Sequence, residues 1–264
     1  MVTVALGALI GLVLALTGAG GGVLAIPLLV FGLHLPVQQA APVGLVAVGL
    51  ASALGAALGL REGIVRYRAA GLIGATGMLM APLGVLLAQH LPNRPLLGAF
   101  ALVLVYSAWR MLRRPGLNDV DQLRVPCHVS LADHRLIWTV PCARALAGTG
   151  LVSGLMSGLL GVGGGFVIIP ALTRYTDLDT RSIQVTSLAV IALVSVSGVT
   201  AAALHGALPW HIAQPFALGA VVALLVGRQV AGKLDPKRLQ QAFAWFTLLV
   251  ALLMAARALG WVVT

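Results

Sequence analysis

The sequence predicts an all-α, polytopic membrane protein built from two inverted repeats of about four transmembrane segments each. Three observations predict it: sustained hydrophobicity, a glycine cluster that occurs twice, and opposite charge on equivalent loops. Of 264 residues, 59% are hydrophobic and 9% charged, and the mean hydropathy is +1.01. No water-soluble domain of this size hides that much apolar side chain. The apolar runs are continuous over about the 20 residues that cross a bilayer core. They lack the short alternating segments of a β-barrel.

The first glycine cluster runs from Gly18 through Gly20, Gly21 and Gly22 to Pro27. The second runs from Gly161 through Gly163, Gly164 and Gly165 to Pro170. The two are 143 positions apart, and the same offset pairs Gly55 with Gly198, Gly63 with Gly206, Gly84 with Gly227 and Phe100 with Phe243. Glycine runs and prolines break helices. Each half is therefore a copy of one unit whose first segment is broken or re-entrant at a glycine-rich motif. That pattern is expected of a secondary transporter with its site at the repeat interface.

In chain order, the apolar runs are roughly 3–32, 40–60, 69–91, 95–112, 144–172, 183–205, 211–233 and 239–263. The N-terminus has no basic region, and its apolar run continues past Gly22 to Phe31, so it is read as part of the fold rather than a signal peptide. The expected domains are an N-terminal repeat over 1–112, a cytoplasmic linker over 113–143 and a C-terminal repeat over 144–264. Lys and Arg set the orientation. Arg61, Arg66 and Arg68 fill the 61–68 loop, and Arg113, Arg114, Arg124 and Arg135 mark the linker, so both face the cytoplasm. In the second half the counterpart of the first loop, 204–211, has no Lys or Arg, whereas 233–238 carries Lys233, Lys237 and Arg238 and 173–182 carries Arg174 and Arg181. Opposite charge on equivalent loops implies inversion. The run 144–172 must then enter and return, because about 29 residues at 1.5 Å each are too few for two full crossings. This hairpin reading is preferred to eight single crossings. Irregular backbone at membrane depth survives only in protein or beside a watery cavity, which two facing breaks would make.

The candidate substrate-binding residues are Thr17, Gly20, Gly21, Gly22, Ser157, Gly163, Gly164, Gly165, Thr186 and Ser187. Glycine admits close backbone approach, successive free amides form an anion nest, and a half-helix points its positive end at the cavity. Thr17 and Ser157 precede the breaks, and Thr186 and Ser187 open the next segment as further hydroxyl donors. The competing reading of the glycines is close helix packing. Ser52 and Ser195 match at the repeat offset, and are expected to back-bond to helix carbonyls.

The absent residues also inform. The seven acids are Glu62, Asp119, Asp121, Asp133, Asp177, Asp179 and Asp235, none of them mid-span. That argues against a cation substrate and leaves no proton relay except His205 or the substrate itself. Arg228 lies deepest of the basic residues and is expected to snorkel to the interface, the alternative being a charge that attracts anions. Cys127 and Cys142, near His128 and His134, fit no standard zinc spacing. In a cytoplasmic linker these thiols are expected to be reduced. No nucleophile–base pair or phosphate loop is present, so neither an enzyme nor an ATP-driven pump is expected. The net charge of +10 is assigned to topology and anionic lipid rather than to nucleic acid.

The paired Gly-x-Gly-Gly-Gly-x-x-x-x-Pro motifs at 18–27 and 161–170, with Val185-Thr186-Ser187-Leu188 and the small-residue helix from Gly219 to Gly232, resemble the TauE/SafE family of sulfite and organosulfonate exporters. The resemblance covers nearly the whole chain outside 113–143. The first half departs from it, with Pro42-Val43-Gly44 where the second has Val185-Thr186-Ser187. The resemblance implies a multi-pass protein of a bacterial inner membrane that exports a small sulfur oxyanion, such as sulfite or a sulfoacetate-like sulfonate, by alternating access. The expected partners are that small anionic substrate and membrane lipid, with a homodimer allowed; no nucleic acid, cofactor or metal is expected. An anion channel and a non-transporting scaffold subunit are the alternatives.

Overall fold

In the computed structural model, each glycine cluster divides one apolar run into two helices. The structure describes residues 1–17, 21–112, 127, 139–231 and 236–258. Among them are ten helices. The first half holds α1 (Val2–Thr17), α2 (Gly21–Gly32), α3 (Val37–Arg61), α4 (Tyr67–His90) and α5 (Asn93–Leu112). The second holds α6 (Val140–Leu160), α7 (Gly165–Tyr175), α8 (Thr180–Leu204), α9 (Trp210–Ala231) and α10 (Pro236–Ala258). Among these, α3, α4, α6, α8 and the Trp210–Gln229 part of α9 are long and apolar enough to cross a membrane.

Local chemistry repeats with the offset. α3 and α8 coincide residue for residue at 143 positions. Pro36 and Asp179, which precede them, share φ −65° and ψ 152°, although only Asp179 caps with its side chain, accepting from the Ser182 amide at 3.1 Å. Both helices end in the same left-handed glycine turn, at Gly63 (φ 70°) and Gly206 (φ 67°). There Ile64 donates to Gly59 and Ala207 to Ala202, satisfying carbonyls that the helix end would leave open.

Tertiary packing maps onto itself when the halves are exchanged. α1 packs parallel to α9, with Gly7 against Phe216 and Gly11 against Ala220. α4 packs parallel to α6, with Gly150 against Ile73 and Gly154 against Gly77, which are the same contacts at the offset. The glycines admit backbone-to-backbone contact, the device by which helices associate without a hydrophobic driving force. α3 and α8 cross antiparallel. Gly55 meets Leu188, Gly198 meets Leu45, and the first contact becomes the second when the halves are swapped.

The basic loops gather at one end of the bundle. Ser182 Oγ donates to the Ile64 carbonyl at 3.0 Å, and the Arg66 amide donates to Thr186 Oγ1 at 3.1 Å. The Cys127 amide donates to the Tyr175 carbonyl at 3.1 Å, so the linker returns to the end of α7. Cys127 and Cys142 form a disulfide, with Cα atoms 5.0 Å apart. This corrects the expectation of reduced thiols. Cys142 lies in the first turn of α6 rather than in the loop, and its amide is capped by Thr139. The remaining linker residues singled out above, from Arg113 to Arg135, lie outside the described residues, as does Lys233.

Candidate functional site

The second break is the better defined. α6 ends at Leu160, and Gly161, Gly163 and Gly164 take φ values of 66°, 75° and 72°. Only glycine adopts that left-handed region without penalty. Three such residues reverse the chain within a few positions, and α7 starts at Gly165 with no side-chain cap. Its first amides have no partner within the helix and carry the positive end of its dipole. Ser153 Oγ donates to the Gly164 carbonyl at 3.3 Å and braces the turn from one helical face of α6.

The first break joins α1 at Thr17 to α2 at Gly21; Gly18, Ala19 and Gly20 lie outside the described residues. The two breaks meet. Gly22 lies against the carbonyl of Val162, and a Cβ on Gly44 of α3 would stand 3.1 Å from the Gly161 carbonyl oxygen. Val48 touches both breaks, lying 3.3 Å from a Cβ built on Gly22 and 3.2 Å from one built on Gly163, while Ile191 of α8 closes the other flank. The site is thus a four-part junction: the start of α2, the α6–α7 turn, and the middles of α3 and α8.

The hydroxyls sort into two groups. Thr17 Oγ1 donates to Val13 at 2.7 Å and Ser187 Oγ to Gln184 at 2.7 Å, so both protons serve local carbonyls. Thr186 accepts from Arg66 at the basic end of the bundle, about one and a half turns along α8 from Ile191. Thr17 and Ser187 thus offer the junction no free proton, and Thr186 stands at the basic end instead. Ser157 and Ser52 are fully buried and Ser195 is only 2% exposed, and among the described residues none of the three Oγ atoms has a hydrogen-bond partner. Ser52 lies one turn beyond Val48 and Ser195 one turn beyond Ile191. The expectation that Ser52 and Ser195 back-bond is therefore corrected. A buried hydroxyl without a partner is costly and calls for an explanation.

Sequence reading missed Ser153. A signal existed: Thr149, Ser153 and Ser157 recur every four residues along one buried face of α6, where α1 carries Leu6, Ile10 and Leu14. The hydroxyl-bearing face of α6 thus has no polar counterpart on α1.

Two cavities flank the junction. One of about 10 Å³, beside Gln38, Ala41, Gln89 and Gly158, has room for about one water. The other, of about 600 Å³, is bounded by α3, α8 and the start of α4. Its lining pairs at the repeat offset, with Gly49 and Ala192, Leu50 and Leu193, and Tyr67 and Trp210, so it straddles the relation between the halves. Apart from Ser195, Tyr67 and Trp210 its walls are aliphatic or glycine, a poor match to an anion. Arg228 does not simply reach outward. It donates to the Gly55 carbonyl at 3.2 Å and pairs with Glu62 at 3.1 Å. No group of three His, Cys, Asp or Glu side chains that could hold a metal occurs among the described residues.

Comparison with known proteins decides the family. The family described as Sulfite exporter TauE/SafE matches residues 3–254. The chain belongs to the TauE/SafE family. Two curated relatives, both named probable membrane transporter protein and from two strains of Xylella fastidiosa, are each 27% identical over 98% of this chain and 95% of their own length. A probable membrane transporter protein of Methanocaldococcus jannaschii is 25% identical over 73% of this chain and 68% of its own. No solved structure matches the chain. This TauE/SafE protein is a multi-pass membrane transporter, and its Xylella relatives fit a bacterial inner-membrane location.

Proposed function

We propose that the protein exports a small sulfur oxyanion, such as sulfite or an organosulfonate, bound where the two glycine breaks meet. The observation that carries the reading is the contact of Gly22 with the Val162 carbonyl, which brings together the start of α2 and the α6–α7 turn, with buried Ser52, Ser195 and Ser157 one turn from Val48, Ile191 and Gly161. In this reading the amides of Gly21, Gly22 and Gly163–Gly165 hold the anion's oxygens and the three serines donate to them. An anion of this kind satisfies several donors at once, and charge-assisted bonds of this type are stronger than neutral ones. In this reading Thr17 and Ser187 leave the ligand set because their protons serve local carbonyls, and Thr186 because it stands at the basic end, where it accepts from the Arg66 amide.

Export follows from electrostatics: an inside-negative potential favours anion exit by about 2.3 kcal/mol per charge per 100 mV. Alternating access comes from the halves rocking about the junction, which their antiparallel α3–α8 crossing permits. The two halves then run in opposite senses through the bilayer, with the basic end cytoplasmic. The disulfide at that end pulls the other way, since such bonds persist in oxidising compartments. The charge pattern sums over several loops and outweighs one bonded pair. No covalent chemistry is assigned.

The test is thermal stabilisation of purified protein by sulfite, sulfoacetate, taurine, sulfate, thiosulfate and chloride. Binding raises stability according to ligand concentration over Kd. A selective shift with a sulfur oxyanion supports the reading, and no shift with any of them contradicts it.

A further inference from the structure

Glu62 caps the end of α3 and is the only acid between residues 1 and 112. Its two carboxylate oxygens are divided between two guanidinium groups of the other half. Oε1 accepts from Arg228 Nη2 and Oε2 from Arg181 Nη2, each at 3.1 Å. Arg228 is further fixed by its bond to the Gly55 carbonyl, 3.2 Å away on α3, and its side chain is 25% exposed. Arg181 is 70% exposed and Glu62 40%. The arrangement has no counterpart at the opposite end, where the offset places His205, Gln38 and Val85 at the positions of Glu62, Arg181 and Arg228.

We infer that Arg181 and Arg228 form a reception site for a small oxyanion at the basic end of the bundle, and that Glu62 occupies it as a built-in competitor. A carboxylate held by two guanidinium groups presents the same acceptor geometry as two oxygens of a sulfite or sulfonate. A half-exposed ion pair of this kind is weak, so exchange with an arriving anion costs little. Arg228 keeps its place during the exchange because the Gly55 carbonyl still holds it. Displacing Glu62 also releases the link between the end of α3 and the helices α8 and α9, freeing the basic end to open toward the junction. The inference rests on the reading of the protein as an anion transporter, and it adds a first anion site distinct from the glycine junction.

The test is direct titration of sulfite and methanesulfonate into the purified full-length protein, as wild type, Glu62→Gln, Glu62→Ala, Arg228→Gln and Arg228→Lys. A site free about one-third of the time binds about threefold more weakly than one always free. Glu62→Gln is therefore expected to tighten binding about threefold, and Glu62→Ala at least as much, because a glutamine amide can still accept from the guanidinium groups. Arg228→Gln is expected to weaken it, and Arg228→Lys to rescue only in part. A purely structural clip predicts no gain of affinity in either Glu62 variant. Wild-type binding with unchanged or weaker affinity in both overturns this inference and leaves the transport reading standing. No binding to any of the proteins overturns both.

Discussion

Gly22, the second residue of α2, lies against the backbone carbonyl of Val162 in the turn between α6 and α7. The contact joins two chain breaks that are 143 positions apart in register, and it leaves no room for a side chain. Gly22→Ala should therefore lower the melting temperature and abolish anion-dependent stabilisation. Gly164→Ala should cost roughly 1–2 kcal/mol from its left-handed backbone alone, and more from collision with Ser153. Gly71, which faces open space within α4, is the control: Gly71→Ala should be neutral or stabilising by up to about 1 kcal/mol. Melting curves of the three variants check this.

Removing an unpartnered buried hydroxyl should not hurt the fold. Ser52→Ala, Ser195→Ala and Ser157→Ala are expected to keep or raise thermal stability, since an unsatisfied buried polar group costs about 1–3 kcal/mol. The same variants should weaken sulfite binding. Loss of stability without loss of binding would place these serines in the packing rather than the site.

Thr186 should behave in the opposite way. Thr186→Val removes the acceptor for the Arg66 amide and is expected to cost about 1–3 kcal/mol. Its effect on the Kd for sulfite should be under about twofold, because the residue serves the junction of α4 and α8 rather than the ligand. A melting curve and a titration on one preparation separate the two effects.

How much of this was legible in the sequence depends on the range of the interaction. The glycine clusters and the offset are local, and they located the helix breaks; the bounds of α3 and α8 were not legible, since α8 begins at Thr180 behind its Asp179 cap, six residues before the Thr186 expected to open that segment. The pooling of Arg61, Arg66, Arg68, Arg174 and Arg181 was legible from charge alone. Hydroxyl partners were not, because the donor of Thr186 is 120 residues away, and because Ser52 and Ser195 leave unused the helix carbonyls that a local reading offers them. The disulfide was missed because Cys127 lies in a polar segment whose docking to Tyr175 has no local signature. The Glu62 cluster escaped for a similar reason: its three residues come from α8, α9 and the end of α3.

Orientation can be read in intact cells. Cysteines placed at Gly206 and near Pro236 should fall on opposite sides, with external labelling at the first and protection at the second. Labelling at Pro236 from outside would reverse the assignment. Breaking the Cys127–Cys142 bond in purified protein should cost about 3 kcal/mol for its 15-residue loop.

The central claim is that the glycine junction carries a sulfur oxyanion across the membrane. The most direct measurement is sulfite flux in proteoliposomes driven by an imposed potential, for wild type, Ser52→Ala with Ser195→Ala, and Gly22→Ala. The account predicts saturable flux that follows the potential in wild type and falls at least tenfold in both variants, with the serine pair still folded. Undiminished flux in both variants, or flux that never saturates, would contradict a carrier site at the meeting point of the two breaks.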